Sequence, residues 1–101
     1  MVYVDPLVRH GWVLRGRMVA SCHLFTDEAS LDELHWLARR IGMKPGWFRD
    51  VAVPHYDLTM MRRRAAVALG AREVGRREAV EIWRARRRRA FSVGSMAALD
   101  F

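Results

Sequence analysis

The sequence predicts an α/β domain: a small three- or four-stranded sheet covered by about three helices. Two observations carry this. Short β-prone runs alternate with stretches of helical periodicity, in the order strand, strand, helix, strand, helix, strand, helix. Glycines and prolines punctuate the joins, with Gly42 and Gly70 placed where a left-handed residue stops a helix. A chain of 101 residues that is 51% hydrophobic makes one domain with a modest core.

Val2-Tyr3-Val4 is a first strand, ended by Asp5-Pro6. Residues 7–17 hold Gly11 and Gly16 around Trp12-Val13-Leu14. They read as a hairpin arm or an irregular excursion, too short for a helical crossover, so the sheet can be mixed. Met18 to Phe25 is the strongest strand, with Met18, Ala20, Cys22 and Leu24 on one face and Val19, Ser21, His23 and Phe25 on the other. Both faces are mostly apolar, as in a strand buried on two sides. His23 is then partly buried, and a core histidine satisfied by one hydrogen bond is the ordinary alternative to a functional one.

Ser30 and Glu33 have capping-box spacing ahead of a helix whose apolar stripe is Leu31, Leu34, Leu37, Ala38 and Ile41. Arg39 and Arg40 suit its last turn. His35 and Trp36 flank the stripe as packing or surface residues. After the Lys44-Pro45-Gly46 turn, Trp47 to Val53 reads as a third strand interrupted by Asp50 and followed by Pro54. Trp47 and Phe48 can stack on a base, although core packing is the commoner use of aromatics. A helix from Thr59 to Leu69 is capped by Thr59 or Asp57, and Arg72-Glu73-Val74 is a last short strand. A third helix from Arg77 to Ala90 is anchored by Val80, Ile82 and Trp83. The organisation is therefore an α/β core over residues 1–76, a basic helix over 77–90 packed on the same domain, and a tail over 91–101. Phe91, Met96, Leu99 and Phe101 of that tail can dock on a neighbour, the route to a homo-oligomer.

The formal net charge is +7, and Lys44 is the only lysine. Arginine bias can reflect a GC-rich genome, yet guanidinium groups favour forked contacts to phosphate and carboxylate whatever their origin. Such charge suits an anionic partner, nucleic acid being the commonest. The single cysteine, Cys22, excludes an internal disulfide and a multi-cysteine zinc site. Without a signal peptide or an apolar run near 18 residues, the expected location is the cytoplasm, with no membrane partner. No HExxH, P-loop, GxGxxG or nucleophile elbow is present.

His23 and His55 both stand just before acidic corners, Thr26-Asp27 and Tyr56-Asp57. If the second and third strands are parallel neighbours, His23, Asp27, His55 and Asp57 meet at their carboxyl ends, with imidazoles within about 10 Å. Asp5 joins them only if its strand is parallel too; as an antiparallel partner it is expected at the opposite edge. His23, His55 and Asp57 can hold Zn²⁺ or Mn²⁺, or serve as acid and base. Arg62, Arg63 and Arg64 lie near a helix N-terminus, where each cation is disfavoured by about 0.3–1 kcal/mol. Either Asp57, Asp50 or Asp5 offsets them, or a bound phosphate does so with the free backbone N–H groups. Tyr56 at the corner and Arg17 beside the second strand are further ligand candidates. Arg84, Arg86, Arg87, Arg88 and Arg89 crowd the end of the third helix; they form either a solvated basic terminus or an arm for nucleic-acid phosphates.

The segments VYVD, GRMVASCHL, HYDL and RRAAVALGAREV resemble a family of small bacterial and phage proteins, domain of unknown function 4031, over about residues 2–76. That resemblance brings no activity. It implies that Asp5, Arg17, His23, His55 and Asp57 match recurring polar positions of the family and share a site. The expected function is binding of a phosphate-bearing ligand, nucleotide or nucleic acid, through a His/Asp/Arg site. The alternatives are a metal-assisted phosphoesterase or nuclease, and an accessory protein-interaction module whose basic helix contacts an acidic protein.

Overall fold

A computed structural model describes residues 1–99; for His10 and residues 90–99 it describes the backbone alone. The chain folds in the order β1 (Val2–Val4), β2 (Val8–Leu14), β3 (Arg17–Thr26), α1 (Asp32–Arg40), β4 (Tyr56–Leu58), α2 (Met60–Ala68), β5 (Arg72–Glu73) and α3 (Arg76–Leu99). It is an α/β fold with three α-helices and a mixed sheet. The sheet has five strands among the described residues, plus an isolated bridge between Arg49 and His55, where three or four strands were expected.

Strand β3 is the spine. Its first half pairs antiparallel with β2. Its second half lies between β1 and β4, both antiparallel to it, and β5 adds to β1 in parallel. The hairpin that joins β2 to β3 turns at Arg15 and Gly16, with φ of 52° and 77°, as a two-residue turn of the I′ kind needs. Between Arg9 and Val13 the register shifts, forming a bulge around Gly11 at φ 78°. Of the two readings of residues 7–17, the hairpin arm is the one formed, and the bulge is what hides its period-two pattern in the sequence.

Alternation along the strands sorts the side chains between two faces. Val2, Val4, Cys22, Leu24, Tyr56 and Leu58 pack under Leu34, Leu37 and Ala38 of α1 and Ala66 of α2. Tyr3 and Phe25 face the other way and are covered by Ala79, Ile82 and Trp83 of α3. Two-sided burial of β3 holds only from Ser21 onward; Arg17 and Met18 lie on an exposed arm.

Several local expectations change. The Trp47–Val53 stretch is a 3-10 turn at Pro45–Trp47 followed by the isolated bridge, and the strand comes after Pro54, which has no N–H to give a ladder. Thr59 occupies the N-cap of α2 but makes no side-chain capping bond. Ser30 accepts the Asp32 N–H at 3.3 Å instead of closing a box with Glu33. Helix α3 continues past Ala90 to Leu99, so residues 91–99 are helical backbone rather than aperiodic tail. Docking through Phe91, Met96, Leu99 and Phe101 concerns side chains outside the described residues. No helix among the described residues is long and apolar enough to cross a membrane.

Candidate functional site

The register builds the site. Val4 pairs with Leu24, and the Asp5 N–H continues that ladder to the His23 carbonyl at 3.4 Å, so Asp5 stands opposite His23. On the other side of β3, His23 pairs directly with Asp57 of β4. Residues opposite one another on a sheet have Cβ atoms about 4.5–5.5 Å apart. Asp5, His23 and Asp57 therefore form a row across three strands, on the face that carries α3. His55, two residues before Asp57, returns to the same face.

Several expectations are corrected. The strands that bring the histidines together are antiparallel, not parallel. His23 lies inside a ten-residue strand rather than at its end, so antiparallel pairing brings Asp5 to it instead of sending Asp5 to the opposite edge. Asp27, expected at the same crevice, instead accepts the Tyr3 hydroxyl at 3.0 Å.

The hydrogen bonds fix both imidazoles. Asp5 Oδ1 accepts the His23 backbone N–H at 2.6 Å, and Asp5 Oδ2 accepts the His23 Nδ1–H at 2.7 Å. His55 Nδ1 donates to the Val53 carbonyl at 2.6 Å. A carbonyl can only accept, so the His55 tautomer with its proton on Nδ1 is imposed, and Nε2 holds the lone pair. Nε2 of His55 lies 3.5 Å from Asp57 Oδ1. The two rings meet edge to face with centroids 4.8 Å apart. One ligand atom from each of His23, His55 and Asp57 can be chosen so that all lie within 4.8 Å of one another.

The electrostatics agree with a place that draws a cation. The hydrogen bond from Asp5 raises the His23 pKa above the ordinary imidazole value, against burial, with Asp57 adding to the effect. Asp57 is held below the usual carboxylate value by its pairing with His55, whose Nε2–H donates to it when the ring is protonated, again against burial. Trp83 of α3 closes one side of His23, ring centroids 5.7 Å apart. Cys22 sits on the opposite face of β3, and burial pushes its thiol up to about 12, which keeps it an inert apolar filler.

Other predicted ligands lie outside the His23–His55–Asp57 cluster. Arg17 pairs with Leu14 on the arm, six residues and roughly 20 Å along β3 from His23. Tyr56 faces the α1 side, where its hydroxyl meets His35 Nδ1 at 2.7 Å. Arg63 is used internally, donating to the Asp5 carbonyl at 2.9 Å and to Glu73 at 2.7 Å. Arg62 donates to the Gly42 carbonyl at 3.1 Å, and its guanidinium stacks over Trp47 at 5.3 Å. Backbone carbonyls and Glu73 thus engage Arg62 and Arg63, rather than the side chains of Asp57, Asp50 or Asp5. Arg86 and Arg89 of α3 bond the carbonyls of residues 27–29 and hold the helix to the β3–α1 connection. Arg84, Arg87 and Arg88 lie on its exposed surface.

Asp57 also lines a cleft of about 680 Å³ along the outer edge of β4, together with Trp12, Trp47, Arg49 and Arg62. Trp12 and Arg49 did not stand out in the sequence. The signal available was the isolated tryptophan beside a glycine in a stretch that reads as a hairpin arm or an irregular excursion.

This chain belongs to the family described as protein of unknown function DUF4031, whose model matches residues 2–86. No curated protein and no solved structure matches it. The matched stretch includes Asp5, His23, His55, Asp57 and most of the first half of α3.

Proposed function

We propose that this DUF4031 protein holds a divalent transition-metal ion through His23 Nε2, His55 Nε2 and Asp57, and that it hydrolyses a phosphoester there. The observation that carries this is the pair of fixed imidazoles. Each donates its Nδ1 proton to an acceptor of the fold, Asp5 or the Val53 carbonyl, which puts the neutral ring's lone pair on Nε2, and Nε2 of His55 lies 3.5 Å from Asp57. Metal-binding histidines are oriented in this way, by a carboxylate or carbonyl behind the ring. Two imidazoles and one carboxylate suit Zn²⁺ or Mn²⁺ and leave coordination positions for water and substrate. An ion held by these three side chains would supply an activated water for phosphoester hydrolysis, that water providing both the oxygen added to phosphorus and the proton taken by the leaving alcohol. Arg49 and Arg62, which border the cleft beside Asp57, supply the charge that fits a phosphate. The reduced cytoplasm, where a lone cysteine stays free, is the location this chemistry fits.

Tag-free protein is expected to carry near-stoichiometric metal, to be stabilised by added Zn²⁺ or Mn²⁺, and to hydrolyse bis(p-nitrophenyl) phosphate. The His23→Ala, His55→Ala double variant, folded by circular dichroism, should lose all three properties. Wild-type protein with no bound metal and no stabilisation by either ion overturns the proposal. Metal binding with phosphate-ligand binding but no turnover replaces hydrolysis by the simpler role of a phosphate-ligand binding protein.

A further inference from the structure

The cleft along β4 shares Asp57 with the His23–His55–Asp57 cluster, and its composition goes beyond what a metal site needs. Trp12 and Arg15 reach it from the hairpin arm, Trp47 and Arg49 from the connection after α1, and Arg62 from the first turn of α2. Three arginines stand against one carboxylate. Two of them are held in place. Arg62 is fixed between the Gly42 carbonyl and the Trp47 ring, and Arg49 is anchored by its backbone bridge to His55. Neighbouring Arg63, by contrast, is engaged by the Asp5 carbonyl and Glu73 and does not line the cleft. Trp47 is occupied by Arg62 and by Lys44, whose ammonium lies 5.4 Å from the ring. Trp12 is 37% exposed and lies among neither of the two buried clusters.

We propose that this cleft binds single-stranded nucleic acid. A base stacks on Trp12, the flanking phosphates contact Arg49 and Arg62, and Trp47 positions Arg62; the strand thereby presents a phosphodiester to the Asp57 end. A flat indole can stack only on a base that is out of a duplex, and base–aromatic stacking tolerates any sequence. The cleft volume exceeds the need of an inorganic phosphate, and its apolar wall has no use for one. The net charge of +7 favours encounter with a polyanion. The cleavage part of this inference rests on the metal-centre proposal; the binding part does not.

The test uses full-length protein at low salt, with and without Mn²⁺. Fluorescence anisotropy follows labelled dT and U oligonucleotides of about 12 nucleotides, with a duplex of equal length and a mononucleotide as competitors. Single strands should bind and neither competitor should displace them at equal concentration. Trp12→Ala should weaken binding about tenfold and Trp12→Phe should restore most of it. An Arg49→Ala, Arg62→Ala variant should flatten the log–log salt slope by about 0.7 for each phosphate that the protein no longer neutralises. The His23→Ala, His55→Ala variant should keep its strand affinity in metal-free buffer while losing metal and turnover. That result separates the two proposals, because strand binding by a wild type that takes up no metal would sink the centre and leave the cleft standing. Wild type that fails to bind single strands, full affinity in folded Trp12→Ala, or displacement by the duplex or the mononucleotide at equal concentration would each overturn the cleft proposal.

Discussion

Asp5→Asn tests the site through a residue that no metal would touch. Asp5 faces two donors at once, the His23 backbone N–H at 2.6 Å and the Nδ1 proton at 2.7 Å. An asparagine offers one acceptor and one NH₂ group, so one donor must meet another. If the amide oxygen keeps the backbone N–H, the ring must move its proton to Nε2, and the ligand lone pair is lost. Loss of an outer partner of this kind typically costs 10–100-fold in metal affinity, about 1.4–2.7 kcal/mol. At an ion concentration near 100 times the wild-type Kd, binding stabilises the wild type by about 2.7 kcal/mol. For a domain of this size that is a rise in Tm of roughly 11–22 °C. The variant at the same concentration should gain only about 0.4–1.4 kcal/mol, or roughly 2–11 °C. Scanning calorimetry with and without Zn²⁺ reads the difference. The metal-free variant also melts lower, since the side chain is only 10% exposed and its bonds are charge-assisted. The increment on adding metal is therefore the quantity to compare. An equal increment in wild type and variant would refute the reasoning about the tautomer.

Arg63→Ala should cost about 1.5–3 kcal/mol in chemical denaturation, because it removes a largely buried cation from the Asp5 carbonyl, whereas Glu73→Gln at the exposed end should cost under about 1 kcal/mol. Equal losses would show that the ion pair, not the carbonyl contact, is what holds α2 to β1. On α3, Arg86→Ala with Arg89→Ala should lower the stability of the folded chain by about 1–2 kcal/mol, as the helix loses its bonds to residues 27–29. Arg87→Ala with Arg88→Ala should leave stability within about 0.5 kcal/mol and should weaken nucleic-acid binding alike across sequences. A stability loss in the second pair and none in the first would reverse this assignment.

The parts of this fold that sequence reveals are those fixed by neighbours along the chain. The Leu34, Leu37 and Ala38 stripe, the glycine stops and the apolar run before Thr26 each encode an element locally. Strand direction does not. Whether Asp5 meets His23 depends on β1 running antiparallel to β3, a non-local choice invisible in either segment. Strand β4 has three residues, too few for a periodic signal, so Tyr56, Asp57 and Leu58 read as a corner although Asp57 sits in a ladder. Convergence of His23, His55 and Asp57 was legible only as a guess about topology, and the true route to it is a register. Arg63, Arg86 and Arg89 show the converse: their charge was plain in the sequence, while their carbonyl partners lie 57 or more residues away.

That register is also what protects the site. On β3, Cys22 and Leu24 are buried against α1 and α2 while His23 faces α3, and Tyr56 and Leu58 bracket Asp57 in the same way on β4. A one-residue slip of either strand would carry the polar residue into the apolar cluster and the apolar pair out of it. Exposing a fully buried leucine alone costs about 1.5–3 kcal/mol, and burying an ionised aspartate without partners costs more. The row Asp5–His23–Asp57 is adjacent on the same face to the Tyr3–Phe25 pair, which α3 covers through Ala79, Ile82 and Trp83. The polar row begins where that apolar cover ends, at the edge of Trp83. The packing energy of the core thus holds Asp5, His23 and Asp57 in line. Their placement survives substitutions that alter ligand chemistry but not alternation. On this account, a Leu58→Ala variant should disturb metal binding more than its distance from the lone pairs suggests, because it loosens the strand that carries Asp57. The cavity left by this fully buried side chain should cost about 2–5 kcal/mol. An unchanged metal affinity in a variant destabilised by that amount would show that the centre holds its shape independently of β4 packing.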